Sequence, residues 1–349
     1  MNVAKRISSI ITASLIVVAL SACTPPKPPE LLAQEAEQTF TCIDGNAKVD
    51  FSPSIYGAVT TWQDSLTAAC TGMTMTELAE GETADISVGA AIPDAAKCVP
   101  LISAPMAVDA GVIVAYLADG TQVALSAKSI GLILSGKITD WSDVQIKKDN
   151  PLVSINPLPI VVNTQADPTA LLALTTWLTR LDSAFANTLI KPTPGFVVDT
   201  TALVDGSLTV MNFSDAAIAG LTPASIVVGK NPKTDYVGAT VDTIDSGASQ
   251  FVASHTTTGV SVKLNPDKKP TPPRGADIPF PPYQAVYPIN VTLCGAESLT
   301  NRAIAKFLLR LDSQGAISNT SLVGIPEEIR IESILEVSKG LPKASAPTN

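Results

Sequence analysis

The stretch SAKSIGLILSGKITDWSDVQIKKDNPLVSINPLPIVV, Ser126 to Val162, is the part of the chain from which the rest can be ordered. Ser126 supplies a hydroxyl suited to cap a helix, and Ile130, Ile133 and Leu134 follow on one helical face. Gly136 then ends that short helix. After Asn150-Pro151 comes a second apolar run, Leu158 to Val162, which reads as a buried strand. Asp167-Pro168 opens another helix, with Leu171, Leu174, Trp177, Leu178 and Leu181 on its inner face.

The same alternation continues outward. Lys48 to Phe51 is a short strand, and Ser52-Pro53 reads as N-cap and first helical residue. Ile55, Val59, Trp62, Leu66 and Ala69 at helical spacing bury one face of residues 53–70. Ala84 to Ala91 is a second strand. Leu101 to Leu117 is apolar and β-branched, and Asp109-Ala110-Gly111 divides it into two strand segments. Residues 208–228 read as strand, loop and strand. Residues 265–288 hold eight prolines, which excludes a helix and leaves an extended crossing or a loop. Leu299 to Ser313 is an amphipathic helix through Ile304, Phe307, Leu308 and Leu311. Strands alternating with helices, without tandem repeats, indicate an α/β protein.

Composition narrows the function. Apolar residues make up 46%, charged residues 16% and aromatic residues 5% of the chain. The 23 basic groups fall to 21 against 32 acidic ones once a leader carrying Lys5 and Arg6 is removed, a formal charge of −11. Such an excess of negative charge argues against nucleic acid and against electrostatic docking on anionic lipid. The single histidine, His255, lies in the polar stretch SHTTTG without a nucleophile motif, and there is no C-x-x-C pair. Neither enzymatic chemistry nor a metal site is expected, and no cofactor. Apart from Cys23, four cysteines remain, Cys42, Cys70, Cys98 and Cys294. In an oxidising compartment they read as two disulfides with three possible connectivities.

The order of elements in 126–162, with GKITDWSDVQI at 136–146, NP at 150–151 and LPIVV at 158–162, resembles the PstS family of phosphate-binding proteins. DFSPSIYGAVTTW (50–62) resembles the family's first strand-to-helix turn, and YPINVTLCGAESLTNRAIAKFLLRLDSQGAI (287–317) its late strand and long helix. The resemblance implies a two-lobed type 2 periplasmic-binding-protein fold, with a hinge and an interlobe cleft. It places 39–115 and 285–340 in one lobe, 116–284 in the other and 341–349 in a tail. If both ends of the chain share a lobe, the disulfides are Cys42–Cys70, a local staple across the first helix, and Cys98–Cys294. The implied role is solute capture for an ABC permease, with a small molecule in the cleft.

In that family phosphate is held at helix N-termini, where unpaired N–H groups and the helix dipole favour an anion. The residues aligned with those turns are Asp50, Ser52, Gly89, Ala90, Asn163, Gln165, Asp167 and Thr169. The family's Arg is replaced by Asn163, its Ser-Gly by Asp167-Pro168, its first-turn Thr by Asp50 and its second-turn Ser-Asp by Gly89-Ala90; only Thr169 is kept. Its Gly/Ser-rich loop is missing from the short segment 71–83. Two like charges about 4 Å apart repel by roughly 4 kcal/mol at an effective dielectric near 20, and no Arg offsets them here. A ligand other than phosphate is therefore expected. Capping and turn chemistry accounts for Asp50 and Asp167 as simply as a cation site does. The alternative function is a non-transport sensing or interaction protein of the envelope, on a retained fold with a vestigial cleft.

At the N-terminus, Lys5 and Arg6 precede the apolar run Ile10 to Leu20, which is too short for a bilayer core of about 20 residues. Leu20-Ser21-Ala22-Cys23 resembles a bacterial lipobox, which implies a signal over 1–22 and a diacylated Cys23 anchoring the chain in the lipid bilayer. An ordinary cleaved signal with a chance cysteine is the plainer alternative. Residues 23–38 read as a Pro-rich, polar tether. Cys23→Ser should move the protein from the membrane fraction to the soluble extract; a variant that still sediments with membranes without detergent refutes the anchor.

Overall fold

The computed structural model describes residues 28–38, 40–90, 93–164, 168–188, 203–272 and 277–342; Cys23, Gln165 and Asp167 lie outside them. Contacts divide the chain into Met1–Gln38 and one compact unit, Thr39–Asn349. Within the first, Pro29–Gln38 forms helix α1, where the sequence reading expected tether. The helix has a local cause: after Pro29 at the first helical position, ELLAQEAEQ consists of strong helix formers.

The larger unit is built on one sheet ordered β10-β11-β4-β12-β3-β1-β2. These strands are β1 (Gly45–Phe51), β2 (Met73–Glu77), β3 (Ile86–Gly89), β4 (Pro100–Tyr116), β10 (Phe251–Thr256), β11 (Gly259–Leu264) and β12 (Val286–Cys294). β1 runs parallel to β2 and β3, whereas β12 lies antiparallel between β3 and β4. Helix α2 (Tyr56–Ala69) follows a 3-10 turn at Pro53–Ile55 and buries Val59, Trp62 and Leu66. The indole of Trp62 donates to the Ser313 carbonyl at 2.8 Å, joining α2 to the late segment Leu311–Gln314. The short segment 71–83, from which the Gly/Ser-rich loop is missing, contains β2. Both disulfides are those expected, Cys42–Cys70 and Cys98–Cys294, with Cα separations of 5.5 and 5.1 Å.

β4 corrects the reading of two segments, because it runs unbroken for 17 residues. Its partners change where the break was expected: Pro100 to Ala110 pair with β12, and Gly111 to Tyr116 pair with β7 (Ser207–Asn212). Asp109, only 1% exposed, accepts from the Ser214 backbone N–H at 3.1 Å and the Ser214 hydroxyl at 2.6 Å, and is also bonded by Tyr287. Gly111 leaves room for a helix, since a Cβ there would lie 2.2 Å from the Ala170 carbonyl oxygen. The hydroxyl of Tyr283, in the proline-rich crossing, donates to the Gly111 carbonyl at 3.0 Å and its ring meets Trp177 edge-on at 4.6 Å. The three residues that read as a break are thus a junction.

Beyond it, β6 (Val161–Thr164) pairs parallel with β7 and leads to helix α5 (Pro168–Leu181), which buries Leu171, Leu174, Trp177 and Leu178. The expected buried strand at 158–162 is displaced toward 161–164. Val161 and Val162 are 46% and 42% exposed, because this strand has one neighbour only and stands at an edge. Residues 208–228 also differ from expectation: helix α6 (Phe213–Ile218) stands between β7 and β8 (Ser225–Val227), its start held by Asp109. β5 (Ala124–Ser126), β8 and β9 (Tyr236–Val237) form a small second sheet.

The quoted motif holds this part together. Ser126 caps α3 (Ala127–Leu134) through the Ser129 N–H, and Gly136 follows with φ +72°. Trp141 is fully buried and donates to the Gly206 carbonyl at 2.9 Å. Asp143 caps α4 (Val144–Asp149), whose end then clamps β5. Asp149 accepts from the Ser126 N–H at 2.8 Å, and the Asn150 amide bonds both the N–H and the carbonyl of Ala124 at 2.7 Å.

The last part of the chain returns to the large sheet. Helix α7 (Val241–Ala248) precedes the β10–β11 hairpin, which pairs with β4 at Gly259–Ser103 although it falls in the range 116–284. Helix α8 (Leu299–Leu309) stops at Arg310, whose ψ of 150° leaves the helical region, and the short α9 (Leu311–Gln314) resumes. β13 (Val323–Gly324) pairs with β4, and α10 (Glu327–Val337) closes the fold.

Burial pushes the Asp109 carboxyl above its ordinary value of 3.8, partly opposed by the bonds from Ser214 and Tyr287. A carboxylate with a raised folded pKa loses stabilising effect as pH rises from the ordinary value through the folded one. Asp109→Ala should cost about 3 kcal/mol in urea unfolding, because it strands the buried donors of Ser214. Asp109→Asn should instead flatten the acid-side pH dependence, and an unchanged slope would refute the assignment.

Candidate ligand-binding site

Both candidate turns lie at the carboxyl ends of parallel strands, where the chain enters a helix and backbone N–H groups lack intrahelical partners. At the first, Asp50 and Ser87 are register partners on β1 and β3, and Phe51 pairs with Val88. The chain then turns at Ser52, whose N–H donates to the Val88 carbonyl at 2.8 Å. Its hydroxyl meets that of Ser54 at 3.2 Å and makes no cap to the helix backbone. Gly89 ends β3 opposite Asn290 of β12, and a Cβ on it would stand 3.5 Å from the Ser52 Cβ. Ala90 follows in a bend. Asp50, Ser52, Gly89 and Ala90 therefore form one local group.

Asn163 and Thr169 belong to a second group. Asn163 pairs with Thr209 of β7, and Thr169 is the second residue of α5. On β7, Thr209 Oγ1 and Asn212 Oδ1 are buried without a hydrogen-bond partner among the described residues. No sequence signal marks either atom, because Thr and Asn inside a β-branched strand read as ordinary alternation. Asn212 does engage its amide nitrogen, which donates to Asp215 at 2.8 Å.

The electrostatics of the first group are set by residues the sequence reading did not select. Asp50 lies 3.8 Å from the Lys97 ammonium, with the two side chains 31% and 51% exposed. Lys97 immediately precedes Cys98, so the Cys98–Cys294 bridge fixes the loop that delivers it. Tyr56, at the start of α2, has its hydroxyl pushed above the ordinary tyrosine value by partial burial, by a hydrogen bond with Glu77, and by the charges of Glu77 and Asp50. Asp50 and Glu77 thus both act on the Tyr56 hydroxyl, and Lys97 stands beside Asp50. Among the described residues, no group of three or more His, Cys, Asp or Glu could hold a metal ion, and no helix is long and apolar enough to cross a membrane.

Lys97 and Asp50 are too exposed for a strong pair. A double-mutant cycle with Lys97→Ala and Asp50→Ala should give a coupling of about 0.5 kcal/mol, screened by salt; a value above about 2 kcal/mol would mean a desolvated pair.

No protein-family model matches the chain, and no curated protein sequence matches it. Solved structures do. A protein from Clostridium perfringens, assigned as a phosphate ABC transporter substrate-binding protein and carrying bound phosphate, superposes with a TM-score of 0.50 at 12% identity, over 81% of this chain and 100% of that one. A phosphate-binding protein from Stenotrophomonas maltophilia gives 0.48 at 14% identity, over 82% and 92% of the two chains. An ABC-type phosphate transport receptor from Vibrio cholerae gives 0.46 at 12%, over 80% and 99%. The match that spans the whole Clostridium perfringens chain identifies the architecture: this protein has a PstS-like, type 2 periplasmic-binding-protein fold.

Proposed function

We propose that the protein is an extracytoplasmic solute-binding lipoprotein, held at the membrane by Cys23, that captures a small polar solute other than phosphate for an ABC permease. It binds and does not catalyse. In this reading 39–115 and 285–340 form one lobe and 116–284 the other, except that the β10–β11 hairpin lies on the first lobe's sheet; β4 is the strand they share, and the two candidate turns face across the cleft. The observation that carries the ligand choice is the charge at the first turn, where Asp50 and Glu77 stand around Tyr56 with Lys97 as the nearby cation. Asn163 at the end of β6 extends the argument, since a neutral amide stands where the resemblance calls for a guanidinium. Phosphate bound at such a turn would meet repulsion without the bidentate, charge-assisted contact that an Arg supplies.

Calorimetry on the full chain in detergent, with phosphate at millimolar concentration and neutral pH, should give no binding heat. The combined variant Asp50→Thr, Asn163→Arg, Asp167→Ser and Pro168→Gly should bind phosphate measurably. Removing the charges without adding the Arg should restore less. Micromolar phosphate binding by the unmodified chain would overturn the ligand assignment, and a thermal-shift screen without any responding solute would favour the envelope-interaction reading.

A further inference from the structure

Asn212 ends β7 and stands at the N-cap position of α6, where an asparagine ordinarily gives its side-chain oxygen to the helix backbone. It makes no such bond. The Ser214 N–H, which a cap of this kind would engage, is taken by Asp109 at 3.1 Å. The amide nitrogen of Asn212 instead donates to Asp215 at 2.8 Å. That bond fixes the orientation of the amide, because the flipped form would set an oxygen against a carboxylate. Oδ1 is then left buried without a partner among the described residues, in a residue only 6% exposed.

The direction of the side chain follows from its register. Asn212 lies opposite Gly111 in an antiparallel pair, and such partners point to the same face of the sheet. On that face a Cβ at Gly111 would stand 2.2 Å from the Ala170 carbonyl oxygen and 3.2 Å from the Leu174 Cβ. Asn212 therefore faces the first turns of α5, whereas Thr209, three positions earlier on the same strand, faces the other side. The pairing of β6 with β7 ends at Thr164 and Val210. Oδ1 thus stands at the carboxyl ends of two parallel strands, beside the start of the helix that carries Thr169.

A buried acceptor is costly unless something donates to it. With its nitrogen engaged, this side chain offers an acceptor and no donor. A phosphate or sulfate brings mainly acceptors, and a hydroxyl brings lone pairs that Asn212 does not match; an ammonium brings three donors and no acceptor. The Asp215 carboxylate behind the amide polarises it, strengthens Oδ1 as an acceptor and attracts a cation. Pro168, the first residue of α5, has no N–H to oppose one. We infer that the captured solute carries a primary ammonium group, and that Asn212 Oδ1 is the acceptor that selects it. This rests on the solute-capture reading above, in which the lobes part about a hinge and admit a solute to the ends of β6 and β7.

The test is calorimetry on the full chain in detergent at neutral pH, with ethanolamine, glycine and putrescine as probes. At least one should bind with a Kd of about 1 mM or tighter. Its fully N-methylated counterpart (choline for ethanolamine, glycine betaine for glycine) keeps the charge and loses every N–H, and should bind at least about tenfold more weakly. Asn212→Ala should weaken the amine by a similar factor. The methylated pairs require no substitution, so they decide the matter even where Asn212→Ala does not fold. Equal binding of a methylated counterpart, or unchanged binding in folded Asn212→Ala, would overturn the inference. D-glucose and sulfate separate it from the reading beneath it. If either binds while no amine does, the ammonium assignment falls and solute capture stands; if nothing binds, both fall.

Discussion

Three consecutive residues of β4 carry the connections on which the rest of the molecule depends. Asp109 takes the N–H and hydroxyl of Ser214 and so fixes the start of α6; its bond with Tyr287 fixes β12 at the same point. Gly111 receives the Tyr283 hydroxyl and, having no side chain, admits the backbone of α5 at Ala170. Ala110 between them is the last residue paired to β12 before the strand passes to β7. Where a strand exchanges neighbours inside the core, the backbone N–H groups beside the exchange need acceptors. Asp109 supplies one to Ser214 by accepting bonds that a hydrocarbon side chain could not; Asn212, opposite Gly111, keeps its Oδ1 without a partner among the described residues.

This junction explains which parts of the fold were legible in the sequence. Helices with a full apolar face and a capping residue were readable: α2, α3, α5 and most of α8 lie where their periodicity and their Ser, Pro and Gly signals put them. The cysteine pairing followed once both ends of the chain were assigned to one sheet. β4 was misread because Asp and Gly in a strand normally signal a turn, and only the distant residues Ser214, Tyr287 and Ala170 show that they do not. The same distance hid α6, whose start is held by a carboxylate more than 100 positions away. β6 was read as buried from its apolar run, yet an edge strand keeps apolar residues while exposing one side.

The candidate site was less legible than the fold, for electrostatic reasons. Sequence alignment could mark Asp50 as a negative charge at a helix entrance, but not that Lys97 stands beside it. Nor could it show that Glu77, at the end of β2, shares a hydrogen bond with Tyr56. Charge at a site is a sum over neighbours, and neighbours from other strands have no fixed sequence spacing. The sum over Asp50, Lys97 and Glu77 is the same as that of Asp50 alone, but it is spread over three side chains from three places in the sequence.

The most specific part of the sequence resemblance also has a different physical meaning from the one its family would suggest. Trp141, Asp143, Asp149 and Asn150 are fully occupied within the chain: an indole on Gly206, a cap on α4, and a clamp on β5 and Ser126. Residues that satisfy their own backbone are constrained by the fold whatever the ligand is. A helix start such as the turn at Ser52 tolerates many residues provided its N–H groups are met. The motif therefore reports on architecture. A chain can keep such a scaffold whatever its turns carry, because Trp141, Asp143, Asp149 and Asn150 bond Gly206, Gln145, Ser126 and Ala124 rather than Ser52, Gly89 or Ala90.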